Sequence, residues 1–166
     1  MIDKALFVLC YLKRGDQLLM IHRNKAPNKG KWNCVGGHIE PGETPYAACL
    51  REVLEETGYR IPEPTFHGLL TWEGFEIPLG GLYMFSSKAP ADLEAVTNGE
   101  GDLEWKTLEW VLTSDDVVDN LHLVTPHVLA GEPPQCHHFA YRDGKMVDSR
   151  ISELPAWVDI HQPLRA

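Results

Sequence analysis

Glu52, Glu55 and Glu56 stand at i, i+3 and i+4 in a stretch with helical periodicity, which puts three carboxylates on one arc of about 100° of a helix surface. Like charges at that spacing repel by a few tenths of a kcal/mol per pair. They also fall in the C-terminal half of the helix, where the backbone dipole disfavours anions. One reading is a solvated acidic face built from a good helix former. The other is a hard, all-oxygen site suited to Mg²⁺ or Mn²⁺ rather than zinc, where a bound dication would offset the repulsion. Just ahead, Gly36-Gly37 has no side chains to keep a ligand from the backbone, and a carbonyl exposed there can add an oxygen donor; a plain turn is the alternative.

The helix carrying the acids has clear ends. Thr44 can cap it, Pro45 suits its first position and Gly58 stops it, leaving a helix of about thirteen residues. At 100° per residue, Tyr46, Ala47, Leu50, Val53 and Leu54 form an apolar stripe opposite the glutamates. Upstream, Ala5–Leu12 and Gln17–Ile21 are apolar runs flanking Lys13-Arg14-Gly15-Asp16, the pattern of a hairpin of buried strands. Further strands are predicted at Thr65–Trp72, Gly81–Ser86, Leu103–Leu108 and Cys136–Tyr141, the last turning at Asp143-Gly144 into Lys145–Ile151. A second helix belongs within Ser114–Ala130, limited by Pro126, and no element is assigned after Pro155.

The 166 residues fit a single domain over 1–166, with no repeat or linker rich enough to divide them. A formal charge of −9 argues against a protein that coats polymeric nucleic acid or binds acidic lipid, so an anionic ligand must be held locally. The segment from Lys13 to Lys31 supplies a local site, with six basic residues and one acid. No apolar run approaches the roughly 20 residues of a membrane helix, and the start lacks the layout of a signal peptide. Cys10, Cys34, Cys49 and Cys136 show no CxxC spacing, so the expectation is a cytoplasmic protein with reduced thiols.

Taken together, Gly37, five residues, Glu43, seven residues and then Arg51-Glu52-Val53-Leu54-Glu55-Glu56-Thr57-Gly58-Tyr59 resembles the Nudix box, here residues 37–59. Tyr59 departs from the pattern, which more usually has a bulky aliphatic residue there. The resemblance implies an α+β Nudix fold, a mixed β-sheet sandwiched between α-helices. It also implies Mg²⁺-dependent, or Mn²⁺-dependent, hydrolysis of a nucleoside diphosphate linked to another group. Metal ions and positioning do most of the work in such phosphoryl chemistry. Carried over residue by residue, the Gly36 carbonyl, Glu52, Glu55 and Glu56 are expected as metal ligands and Glu52 as the base that takes a proton from water. Arg51 orients the glutamates and Glu43 supports from outside.

Lys31-Trp32-Asn33 ahead of the glycine pair, and Glu100 followed five residues later by Trp105, are similar to the branch that cleaves oxidised purine triphosphates such as 8-oxo-dGTP. That likeness makes Asn33 the base reader, with a donor and an acceptor to offer, and Glu100 an additional metal ligand. The late pair of acidic side chains used by some of that branch has no clear counterpart, the nearest being Asp119-Asn120. Markers of the ADP-ribose and dinucleoside polyphosphate branches are missing, since Gly74-Phe75-Glu76-Ile77 occupies their place. Those substrates, nucleotide sugars and a nucleotide sensor without activity are the alternatives. Arg23 and Gly37 are expected at the substrate. His137 and His138, adjacent on a strand, point to opposite faces and are taken as structural. Trp32 and Trp72 are the two tryptophans to watch as base stackers. The partner is a small nucleotide, and the protein a monomer or homodimer.

Overall fold

The computed structural model describes residues 4–26, 28–76, 79–95 and 101–164. β1 (Phe7–Arg14) and β2 (Gln17–Arg23) turn through Gly15, whose φ of 57° is one that a side chain would strain. β3 (Trp32–His38) runs antiparallel to both, with Leu9 opposite Gly36, Val8 opposite Gly37 and Ile21 opposite Asn33. α1 (Pro45–Thr57) follows, then β4 (Thr65–Glu73), β5 (Leu79–Lys88), β6 (Gly101–Thr107), α2 (Leu108–Thr113), α3 (Asn120–Leu129), β7 (Gln135–Arg142) and β8 (Lys145–Ser152). The strands form one eight-stranded sheet in the order β6-β2-β3-β1-β5-β4-β7-β8. β1–β5 and β4–β7 are parallel and the other neighbours antiparallel, so the sheet is mixed as expected.

Alternation along β1 builds two cores. Val8, Cys10 and Leu12 point to one face with Val35, Phe85, Ala48, Cys49 and Val53. Leu9 and Tyr11 point to the other with Met20, Cys34, Leu70, Val111, Val124 and Phe139. α1 covers the first face and α2 with α3 the second, giving helices on both sides of the sheet. All four cysteines are free and buried: one each on β1, β3, α1 and β7.

Four expectations change. The buried side of α1 is Pro45, Ala48, Cys49, Val53 and Glu56, while Ala47 is exposed. Small residues let α1 sit close on β1 and β3, and this rotates the helix from the stripe that hydrophobicity alone selects. The strand expected through Leu108 ends at Thr107, whose hydroxyl accepts from Trp110 N at 3.1 Å and starts α2. The unassigned C-terminal stretch packs on the α1 face through Leu154, Trp157, Val158, Ile160 and Leu164, and Tyr46 N donates to Ile160 O at 3.0 Å. Pro126 lies inside α3 rather than ending it. Among the described residues no helix is long and apolar enough to cross a membrane.

Candidate active site

Local chemistry fixes the acidic helix at both ends. Thr44 Oγ1 accepts from Ala47 N at 3.0 Å, and Gly58 adopts a left-handed φ of 76° while its N–H donates to Leu54 O at 2.8 Å. Between these caps the three glutamates divide. Glu55 is the outward one, its side chain 58% exposed, whereas the Glu52 side chain is 14% exposed and Glu56 is 7% exposed. The stripe is therefore turned partly towards the sheet rather than lying opposite the core. Among the described residues no group of three His, Cys, Asp or Glu is already gathered closely enough to hold a metal ion.

Arg51 sits among the acids. Its Nε and Nη2 donate to Glu43 Oε2 and Oε1 at 2.7 and 2.8 Å, a two-pronged pair. Nη1 reaches Glu52 Oε1 at 2.9 Å and Glu55 Oε2 at 3.3 Å, and Nη2 also donates to His38 O at the end of β3. One guanidinium thus ties the helix, the preceding turn and the strand. The hydrogen bonds from Arg51 hold the Glu43 carboxyl below its usual range, and those same bonds push Arg51 further above its own.

The glycine pair performs two different tasks. A Cβ on Gly36 would lie 2.1 Å from the Val8 carbonyl oxygen, so that glycine lets β3 cross close to β1. A Cβ on Gly37 would lie 2.5 Å from Glu52 Cδ and Oε1, so Gly37 makes room for a carboxylate. The oxygen-only donors of Glu52, Glu55 and Glu56, with Glu52 cradled against a bare backbone and Glu56 Oε2 shut off from solvent, fit a hard divalent cation. Glu100 lies outside the described residues.

On the other side of the glycines a cleft of 310 Å³ opens. Arg23, Asn33, Gly36 and Gly37, which sequence reasoning placed at the substrate or metal, all line it, with Trp72 and Phe75 as aromatic walls. Asn33 differs from expectation in one respect. Its Oδ1 accepts from Cys34 N at 2.8 Å, which engages one of that oxygen's two lone pairs and leaves both amide N–H groups to offer. Trp32 is packing rather than wall, stacked on His22 at 4.7 Å and edge-on to Trp110 at 5.8 Å. His137 and His138 do face opposite ways: His137 is buried, while His138 bonds Thr71 Oγ1 at 2.7 Å and Glu73 Oε1 at 3.1 Å.

The far wall is the part that sequence reasoning reached only in outline. Asp119 and Asn120, at the start of α3, line the cleft together with Tyr141 of β7. The Tyr141 hydroxyl donates to Asp119 Oδ1 at 2.7 Å; its one proton being committed, it accepts from Asn120 Nδ2 at 3.3 Å. Burial first, then the bond to Asp119, push the Tyr141 phenol up. Trp32 N donates to Asp116 O at 2.8 Å and Val118 N to Trp32 O at 3.0 Å, so the wall with Asp119 is stitched to the strand bearing Asn33. Nothing in the sequence marked Tyr141, because its partners are more than a hydrophobic period away along the chain.

A mixed sheet between helices, with an acidic helix docked on a Gly-Gly strand beside a cleft, defines a recurrent class of α+β domain. The model of the NUDIX domain matches residues 3–164, and the chain belongs to that family. It is 39% identical over 59 residues to a Bacillus subtilis protein provisionally named an 8-oxo-dGTP diphosphatase, covering 36% of this chain and 37% of that one. It is 33% identical over 89 residues to the human 8-oxo-dGDP phosphatase NUDT18, covering 49% of this chain and 28% of that one. The chain thus spans less than two fifths of the length of these curated relatives. The crystal structure of a MutT protein from Bacillus halodurans superposes with a TM-score of 0.73 at 25% identity, covering 87% of this chain and 95% of that one.

Proposed function

We propose that this chain is a Mg²⁺-dependent pyrophosphohydrolase of nucleoside triphosphates, with Mn²⁺ as a substitute, acting on an oxidised guanine-type nucleotide such as 8-oxo-dGTP. Glu52 against Gly37, at the edge of a cleft with amide donors on one wall and a carboxylate on the other, is the observation that carries this reading. Asn33 N–H groups suit a keto oxygen, and Asp119 with the carbonyl of Asn120 suits adjacent ring and amino N–H groups. Guanine presents that set, whereas adenine reverses part of it. The names of the two curated relatives point the same way.

Glu52, Glu55, Glu56 and the Gly36 carbonyl are the residues that would hold the cation. When bound, it neutralises charge on the phosphate oxygens and favours ionisation of water. Glu52 takes the proton from the attacking water, whose oxygen bonds to phosphorus as the anhydride P–O bond breaks and pyrophosphate leaves. Arg51 keeps Glu52 in place, and Arg23 with the basic loop meets the phosphate chain. The four free, buried thiols accord with a cytoplasmic setting.

The test is a panel with Mg²⁺ comprising dGTP, 8-oxo-dGTP, the other deoxynucleoside triphosphates, ADP-ribose and diadenosine polyphosphates, scored by product and kcat/KM. The expected result is 8-oxo-dGTP favoured over dGTP by about tenfold, about 1.4 kcal/mol of transition-state discrimination. If ADP-ribose or a dinucleotide wins, the base reading fails while the acidic helix stands. Binding without turnover of any of them overturns the activity itself.

A further inference from the structure

β8 ends the sheet, and among the described residues its ladder runs to β7 alone. All of it except Met146 is exposed, with Val147 at 53% and Ile151 at 46%. An edge of this length presents a row of outward backbone N–H and C=O groups, and folds usually guard such a row with charge or a bulge. Here the bulge lies opposite Ala140 and Tyr141, so Asp148–Ser152 keeps a regular register on β7. The charges of that regular part are what decide the outcome.

Two copies of β8 side by side and antiparallel obey a two-fold axis normal to the sheet, so residues facing each other must share parity and the axis passes through one residue. With the axis at Asp148 or Arg150, like charges meet at the centre. The axis has no place at Val147, the bulged residue, because its neighbours Met146 and Asp148 lie opposite the successive residues Tyr141 and Ala140 and so face opposite sides of the sheet. With the axis at Ser149, Asp148 faces Arg150 twice, both within the regular part of the strand. Opposite charges and apolar pairs directly across a ladder are the stabilising combinations. Both charged residues of the regular part find their complement in this one register.

We propose that β8 is the homodimer interface of this protein, pairing antiparallel with β8 of a second copy about Ser149. A strand pair of this size falls among small interfaces, so association is weak and depends on concentration and salt. The proposal is independent of the cleft and of its substrate.

Sedimentation of the full chain across micromolar to submillimolar concentrations tests it, with circular dichroism and melting as controls for folding. The wild type is expected to dimerise. Asp148→Arg and Arg150→Asp each turn two attractive pairs into repulsive ones and weaken the dimer by about tenfold. The double exchange, Asp148→Arg with Arg150→Asp, restores it. Independently, Ser149→Cys places two thiols across the axis at the Cα separation of facing strand residues, about 4.5–5.5 Å, which a disulfide spans. Mild oxidation should then link the dimer covalently, since the native cysteines are buried. A wild type monomeric throughout, a dimer indifferent to the charge reversals, or a double exchange that stays dissociated would each overturn the pairing.

Discussion

Gly37→Ala separates catalysis from stability more cleanly than removal of any glutamate. The new methyl would stand 2.5 Å from Glu52 Cδ and Oε1 and 2.7 Å from Oε2, against an ordinary contact of at least 3.4 Å. The carboxylate must therefore withdraw by about 1 Å, and a misplacement of that size at a reacting group costs about 100-fold in rate, or about 2.7 kcal/mol. What yields is the end of a flexible side chain, and Gly37 needs no left-handed backbone, so melting should shift by less than about 2 °C. Gly36→Ala supplies the contrast. There the methyl meets the Val8 carbonyl at 2.1 Å, so two strands must part, and stability falls along with activity. The assay is kcat/KM for the preferred triphosphate in Mg²⁺ beside a thermal melt of each variant. Activity within about threefold of wild type for Gly37→Ala would refute the placement of Glu52 as a working group.

Four other outcomes follow from the same contacts. Arg51→Ala should cost roughly 1 kcal/mol of stability because its pairs are partly exposed, but far more in rate, and Arg51→Lys should not recover the rate because a lysine cannot span both Glu43 oxygens. Glu43 is held below its usual range in the fold, so its contribution to stability is present above about pH 4.3 and is lost as pH falls through the lowered value; Glu43→Gln should flatten that limb of a melting-temperature titration. Glu56→Gln removes a buried carboxyl, so the rise in melting temperature on adding Mg²⁺ should shrink relative to wild type. Tyr141→Phe withdraws the donor from Asp119 Oδ1, and KM for guanine nucleotides should rise about tenfold with kcat little changed, as separate kcat and KM determinations would reveal.

The parts of the fold legible in the sequence are those set by neighbours along the chain. Thr44, Pro45 and Gly58 bound the helix by local backbone chemistry, and the hairpins follow from alternation beside turn residues. Of the stripe expected on α1, Val53 is buried and Tyr46 and Leu50 pack on the core, but hydrophobicity also counts Ala47 and Leu54, whereas close packing on β3 selects Ala48 and Cys49 and draws Glu52 and Glu56 inward. The spacing of the acids told which residues lie together but not that Arg51 would occupy their midst. The sequence offers both halves of the Asn33 amide, and only its bond to the next backbone N–H shows that the oxygen is already partly engaged while, among the described residues, the N–H groups are not. Asp119 and Tyr141 come from distant elements, so their partnership exists only after β7 has joined the sheet.

The four cysteines give the molecule a set of internal clocks. Each is shut away at a different place, Cys10 on β1 beneath α1, Cys49 on α1 itself, Cys34 beside Asn33 and Cys136 on β7 next to the edge strand β8. Two of them resist ionisation as well as contact: the hydrogen bond with Cys49 and burial raise the Cys10 thiol, and burial alone raises that of Cys34. A thiol reagent can therefore react only when the surrounding element opens, and its rate at each cysteine times that opening. Nature has in effect placed an unlabelled exchange probe on the acidic helix, on the strand that lines the cleft and in the two cores, without one atom of foreign chemistry.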